Sequence, residues 1–429
     1  MSTRTGKPTT RRGFLRTSAG AAVAIAAPAV LSAPPNTQEL RIGLVGCGGR
    51  GTGAALNALK ADPHVVLTAM ADLFEDHLQN GVAALRKQVP EKVRVEPKRC
   101  FLGFDSCQKL IDSGVDLVLL ATPPAFRPRH LRAAVEAGKH TFVEITLGVD
   151  SPGVRSAMES AEIATKKNLA IGSGFCWRYS KPLRAACKEI RAGRIGDIRS
   201  VYATYYRGEL GHKHHGPRPA GISDLEWQIR DWYAHLWLTG DITILLSGGH
   251  SVDKMSWWLD EVMPVKAVAV GGRVYAQNEG NTFDNGFVAY EYASGIRGFL
   301  GTRSQPGCYN ENADYIIGAK GVCTIGRGRT PVITGENPWR YAGPPDNMYQ
   351  NEHDELVASI RSGKPINDAP RMARTTLMAI LGRMAAYTGQ EVTWEQALNS
   401  QDSLVPDKVD WKTSPPVRPT AVPGMTKVL

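Results

Sequence analysis

The sequence predicts an α/β protein with a second, α+β half: a doubly wound parallel sheet first, then an α/β domain whose open sheet is mainly antiparallel. The first observation is a short apolar run, Arg41-Ile42-Gly43-Leu44-Val45, that passes straight into Gly46-Cys47-Gly48-Gly49-Arg50-Gly51 and then into small residues 52–59 with a helical pattern. The second is the alternation of strand-like and helical patterns up to about residue 173, as βαβ units require. The third is the change beyond it, where strand-like runs are separated by hairpin turns such as Ala293-Ser294-Gly295.

The first turn has the strand, G-x-G-x-x-G, helix order of a Rossmann dinucleotide site. Gly46 permits the tight turn, Gly48 lets the backbone approach a pyrophosphate, and Gly51 lets helix and strand pack closely. The helix N-terminus, with Gly49 and Arg50, offers free N–H groups and a positive dipole end to the phosphates. A second strand, residues 65–71, ends in Asp72, which lies 72 − 51 = 21 residues after the last glycine, where an acidic side chain takes the ribose hydroxyls of NAD. A carboxylate there repels a 2′-phosphate, and no Arg follows in Leu73-Phe74-Glu75-Asp76. The expected cofactor is therefore NAD rather than NADP.

The later elements follow in order. Helices are expected over residues 75–87, 104–111, 129–137 and 152–167, and strands around 94–95, 115–121, 141–143 and 170–172. Thr122-Pro123 and Glu144 end two of these strands, which is where open α/β sheets hold their ligands. In the second half, strands are expected at 198–207, 265–274, 287–292, 296–302 and 315–325, and helices at 182–192, 249–259, 352–362 and 371–387. The expected domains are a nucleotide-binding unit, 38–172, and a substrate and oligomerisation unit, 173–402. A proline-rich arm, 403–429, follows.

Length and charge bound the function. A chain of 429 residues with 42% hydrophobic content has room for two domains and a large core. Its formal charge of +10 is concentrated at the start: residues 1–33 hold Arg4, Lys7, Arg11, Arg12 and Arg16 and no acid, leaving 10 − 5 = +5 for the rest. That is too mild for nucleic acid, and no aromatic–basic stripe supports such a partner. Residues 1–33 read as a twin-arginine signal: Arg11-Arg12-Gly13-Phe14-Leu15, an alanine-rich apolar run, then small residues. The run falls short of the ~20 residues of a bilayer span, so the expectation is a periplasmic or otherwise exported protein, carried by the twin-arginine machinery, without an integral membrane span. Twin-arginine export carries folded proteins, which suits a chain that acquires NAD in the cytoplasm. The seven cysteines form no C-x-x-C and read as buried small hydrophobes. No metal is expected. Gly211-His212-Lys213-His214-His215-Gly216-Pro217 has loop flanks and no carboxylate or thiol partner, and reads as a basic loop over the substrate cleft.

Taken together, the chain resembles the Gfo/Idh/MocA oxidoreductases, in their exported bacterial subgroup. The resemblance rests on the glycine turn, Ala121-Thr122-Pro123-Pro124, Ala137-Gly138-Lys139-His140, Gly174-Phe175-Cys176-Trp177-Arg178-Tyr179, His250-x-x-Asp253, Ser223-Asp224-x-Glu226-Trp227-Gln228 and Tyr349-Gln350-x-Glu352-His353-Asp354. It implies hydride transfer between a nicotinamide and a sugar or cyclitol, in some members as a redox-neutral cycle that regenerates the bound cofactor. It also implies a dimer or tetramer, and places Trp177 and Arg178 along the cofactor.

The sequence departs from that family at the chemistry. Relatives carry Glu-Lys-Pro where this chain has Glu144-Ile145-Thr146, and an acidic residue near the position of Leu246. Isoleucine handles no proton, and loss of a general base costs ~10²–10⁴-fold in rate. Three readings follow: a sugar-directed oxidoreductase or redox-neutral lyase or glycosidase with another base, an NAD-bound protein that binds carbohydrate without turnover, and an enzyme with an apolar pocket. His250 is the first replacement base, with Asp253 three residues on to orient it. His235 is the second, and Tyr179 and His353 are outside candidates. Lys254 reads as a solvated helix charge.

Overall fold

The computed structural model describes residues 38–208, 218–275, 279–326, 328–416 and 418–427. The expected twin-arginine signal and the histidine loop at 212–215 lie outside these residues. Within residues 37–429, two sheets organise the chain.

The first sheet is built from six parallel strands: β1 Leu40–Val45, β2 Val65–Asp72, β3 Cys100–Leu102, β4 Leu117–Leu120, β5 His140–Val143 and β6 Ile171–Ser173. They lie in the order β3-β2-β1-β4-β5-β6. Helices α1 Gly49–Ala61, α2 Glu75–Gln88, α3 Ser106–Asp112, α4 Arg127–Glu136 and α5 Ser151–Lys166 connect them. The strands are apolar on both faces because helices cover both: Ile42, Leu44 and Leu119 on one face, and Val118, Leu120 and Val143 on the other, have no exposed surface. Strand order reverses between β1 and β4, so the ligand crevice opens above their C-terminal ends. This is the Rossmann arrangement.

The third strand differs from expectation. Residues 94–95 make only a short link, with Arg94 N donating to Leu67 O and a single bridge between Val93 and Leu67. The ladder forms further on, at Cys100–Leu102, after a 3₁₀ turn at Pro97–Arg99. Pro97 supplies no N–H to a ladder and starts the turn instead.

The second sheet has nine strands. They are β7 Ile198–Arg207, β8 Lys266–Gly272, β9 Asn285–Glu291, β10 Arg297–Ser304, β11 Glu311–Gly318, β12 Gly321–Gly326, β13 Val332–Gly335, β14 Trp339–Arg340 and β15 Val392–Thr393. Their order is β14-β13-β12-β11-β7-β10-β9-β8-β15. Only β7 and β10 pair in parallel, so the sheet is mainly antiparallel. The apolar run at 315–325 is two strands rather than one, folded at Ala319-Lys320. Helices α6 Lys181–Arg191, α7 Asp224–Arg230, α8 Gly248–Trp258, α9 Met348–Arg361, α10 Ala369–Thr388 and α11 Trp394–Asn399 complete the fold. Helix α10 is buried on most faces and is largely apolar or small; its arginines Arg371 and Arg383 are hydrogen-bonded, to Asp253 and to the Val149 and Gly240 carbonyls. A π-helical turn, Ile242–Ser247, leads into α8 and is capped by Asp241, whose Oδ1 accepts from Thr243 N and Ile244 N. Among the described residues no helix is long and apolar enough to cross a membrane.

Candidate active site

The crevice above β1 and β4 is a cleft lined by Gly46, Gly48, Asp72, Phe74, Thr122 and Pro123, with His77, Phe104, His130 and Trp232 around them. The glycine turn has the form a pyrophosphate needs. A Cβ at Gly51 would lie 1.9 Å from Gly46 O, so only glycine lets α1 sit this close to β1. Positions 48 and 49 meet nothing within 4 Å, leaving open space at the start of α1. The N-cap is Gly48, with no side chain closing the helix end, so its orphan N–H groups remain available to an anion.

Asp72 stands at the end of β2 with its carboxylate fixed. Cys47 N donates to Oδ2 at 2.6 Å and Phe74 N to Oδ1 at 3.0 Å. Each oxygen keeps a second lone pair for a ribose hydroxyl. The His77 ring lies 3.7 Å from Oδ1, and this carboxylate raises the imidazole pKa. These residues fit the dinucleotide: Gly48 and Gly49 would face its phosphates and Asp72 its adenosine ribose.

Near the start of α1 the geometry departs from the sequence expectation. Arg50 is paired with Glu144: Nε donates to Oε1 at 2.6 Å, and the guanidinium lies 4.9 Å over the Tyr349 ring. Its Nη2 is also 4.0 Å from Oε1 of Glu352, which is 1% exposed and has neither oxygen hydrogen-bonded among the described residues. Burial, and then the charge of Glu144, push the Glu352 carboxyl well above the glutamate range. His353 beside it is wholly buried against Phe142, and burial pushes its pKa down to about 3. This cluster therefore holds one cation between two carboxyl groups.

Ile145 itself is buried in the core, and Arg127 donates to its carbonyl and, at 3.0 Å, to Thr146 O. Position 249 on α8 backs onto this turn: a Cβ there would meet Thr146 Cγ2 at 3.4 Å. His250 follows, its ring 6.0 Å from Phe175 and 6.4 Å from Tyr205. His235 is buried, 5% exposed, and caps a short helical turn whose Leu238 and Thr239 N–H groups donate to its carbonyl.

Three further expectations need correction. Arg178 does not lie free along a cofactor. Its guanidinium holds Asp253 at 2.8 and 3.0 Å, Ser256 at 3.0 Å and Glu261. Asp253 is fully buried and also accepts from Arg371 and Thr375, so its carboxylate closes an ion cluster between the 3₁₀ turn at 176–179, α8 and α10. Burial alone would raise its pKa; Arg178 and Arg371 outweigh this and hold it below the aspartate range. Lys254 is not solvated: it is 1% exposed, bonds Asp314, and sits 4.7 Å over the Trp177 ring. Trp177 thus takes a lysine and lines a groove with Pro182 and Tyr349, outside the nucleotide cleft.

His130 carries no sequence signal of its own. It lines the cleft with Nδ1 3.2 Å from Thr122 Oγ1, and burial, with Arg129 and Arg127 beside it, pushes its pKa down to about 3. A neutral imidazole there holds Thr122 at the end of β4. Among the described residues no group of three His, Cys, Asp or Glu is placed to hold a metal.

Residues 40–175 match the Gfo/Idh/MocA oxidoreductase family, NAD-binding Rossmann fold. Among curated proteins, the chain is similar to a glycosyl hydrolase family 109 protein of Shewanella amazonensis, at 26% identity over 57% of this chain and 52% of that one. It is also similar to inositol 2-dehydrogenase of Cereibacter sphaeroides, at 27% over 60% and 65%. The matches thus span about half to two thirds of these relatives. Among solved structures, levoglucosan dehydrogenase in complex with NADH and levoglucosan shares the fold, with a TM-score of 0.66 and 17% identity over 83% of this chain and 99% of that one.

Proposed function

We propose that the whole chain is an NAD-dependent oxidoreductase of the Gfo/Idh/MocA type, acting by hydride transfer on a sugar or glycoside in the periplasm after twin-arginine export. The observation that carries this reading is the pairing of the open glycine cradle with Asp72 across one cleft. The likeness to proteins named inositol dehydrogenase and levoglucosan dehydrogenase supports a polyol or sugar substrate. The likeness to a glycosyl hydrolase supports a redox-neutral cycle on a glycoside, which leaves the bound NAD as it began.

Bound NAD would supply the hydride acceptor. The chain's own residues would orient it: the turn at Gly46–Gly51 would hold the phosphates and Asp72 the ribose, with Thr122, fixed by His130, at the end of β4. For the proton, the candidate groups are His250, whose ring stacks 6.4 Å from Tyr205, and the Arg50–Glu144 pair. A homodimer is proposed through the open face of the second sheet, where Val270, 71% exposed, pairs across the ladder with Phe287, 40% exposed.

A second reading is favoured by one observation. Ile145 is buried in the apolar core where relatives carry a proton-handling lysine, which favours a carbohydrate-binding protein that keeps NAD without turnover. Incubating the protein with a panel of sugars, cyclitols and aryl glycosides separates the two. The enzyme reading expects product from at least one; a rise in melting temperature without product across the panel supports the second.

A further inference from the structure

The proline-rich arm does more than end the chain. It folds back as a loop whose base is fixed by the Asp402–Arg418 ion pair, at 2.7 and 3.0 Å, and by Leu404 N donating to Asp150 Oδ2 at 2.7 Å. At its far end Asp410 builds a tight turn. Its Oδ1 accepts from Lys412 N at 2.9 Å, and its N–H donates to Thr413 Oγ1 at 2.9 Å. Aspartate is suited to this because its side chain mimics a backbone turn. Val409, 4% exposed, anchors the turn, and Trp411 follows Asp410 within it.

Trp411 is half exposed, a large apolar surface for a loop tryptophan to leave in water. Its ring lies edge-on to Phe104 with centroids 5.0 Å apart, and 6.3 Å from Phe74. Phe74 and Phe104 line the cleft immediately beyond Asp72. Phe74 also carries the Arg230 guanidinium at 3.9 Å, and Arg230 is held by Asp76 and Glu226. Thus α7 and the terminal arm, from remote parts of the chain, converge on the two rings at the adenosine end.

We infer that Trp411 is a positioning residue for the adenine of the bound dinucleotide: it braces Phe104 and Phe74 so that their rings form a fixed apolar wall beside the base. The inference rests on the proposed reading of the cleft as a dinucleotide site. Chemically, the ligand recognised is a purine nucleotide joined through a diphosphate. The consequence is retention. A cofactor held at its base as well as at its phosphates leaves slowly, which a protein working where no free NAD pool exists requires.

The test compares ligands that contain the base with one that lacks it. Affinities of NAD, ADP-ribose and nicotinamide mononucleotide are measured on the full chain and on Trp411→Ala, Trp411→Phe and Phe104→Ala. An aromatic pair of this kind is worth a factor of roughly three to ten. Trp411→Ala should weaken NAD and ADP-ribose by that factor, raise the NAD dissociation rate, and leave nicotinamide mononucleotide unchanged. Trp411→Phe should recover most of the loss. Phe104→Ala should cost about as much, with the double variant little worse than either alone. A purely structural tryptophan would lower the melting temperature without separating the ligands, and that result overturns the inference while leaving the cleft assignment standing. A wild-type chain that binds neither NAD nor ADP-ribose overturns both.

Discussion

Arg50 Nε donates to Glu144 Oε1 at 2.6 Å, joining the start of the first helix to the end of the fifth strand across 94 residues of chain. The same guanidinium lies 4.0 Å from the buried carboxyl of Glu352, so one cation stands between two acids. Replacing Arg50 with Met removes the cation between two acids. Arg50 is 41% exposed, and solvent screening lowers the loss from the ~3–5 kcal/mol of a fully buried pair to ~1–2 kcal/mol. Urea denaturation should show a lower midpoint at unchanged slope.

Glu352 gives a pH dependence of unusual sign. Its carboxyl pKa is raised by burial, so the folded state keeps a proton that the unfolded chain loses above about pH 4.3. The folded state then binds more protons than the unfolded one, and stability falls as pH rises through that interval towards the raised pKa. Glu352→Gln removes the titration. Its melting temperature should exceed that of the wild type at pH 7 to 8, with the difference shrinking towards pH 4.

Asp253 has the opposite sign. Its pKa is held below the aspartate range by Arg178 and Arg371, against its burial. The stabilisation is present above about pH 3.9, the unfolded value, and is lost as pH falls through the lower folded value. Asp253→Asn leaves two guanidinium groups facing a neutral amide in a buried cluster and should cost ~3–5 kcal/mol at neutral pH. It should also flatten the acid limb of the melting curve.

Two glycines separate folding from binding. At Gly51 a Cβ would fall 1.9 Å from a backbone oxygen, so Gly51→Ala should lower both stability and nucleotide affinity. At Gly48 the backbone has φ −68°, open to any residue, and nothing lies within 4 Å of the added methyl. Gly48→Ala should therefore melt within about 0.5 kcal/mol of wild type yet lose NAD affinity, because the methyl occupies the space of a phosphate oxygen. Circular dichroism and calorimetry on the same samples check both.

The parts of this protein written in adjacent residues are legible in the sequence. The glycine turn, Asp72 and the strand ends at Thr122 and Glu144 each follow from a local pattern, and the parallel sheet supplies the rest by topology. The parts that depend on distant pairing are not legible there. Arg50 reads as a phosphate ligand until Glu144 is folded beside it, and Arg178 reads as a cofactor ligand until Asp253 and Arg371 close around it. Lys254 looks solvated on a helix that is buried on nearly every face. Trp411 lies in a proline-rich stretch without periodicity, and only the return of the arm to Phe104 gives it a role. The strand expected at residues 94–95 shrinks to a bridge for a local reason, the proline at 97, which starts a turn in place of a ladder.

The central claim is that a dinucleotide rests on the turn beginning at Gly46, and a structure determined with excess NAD tests it most directly. The account predicts the diphosphate against the N–H groups of Gly48 and Gly49, the adenosine ribose on Asp72 and the adenine beside Phe104. A turn left empty under saturating NAD, or NAD bound elsewhere on the chain, would contradict it.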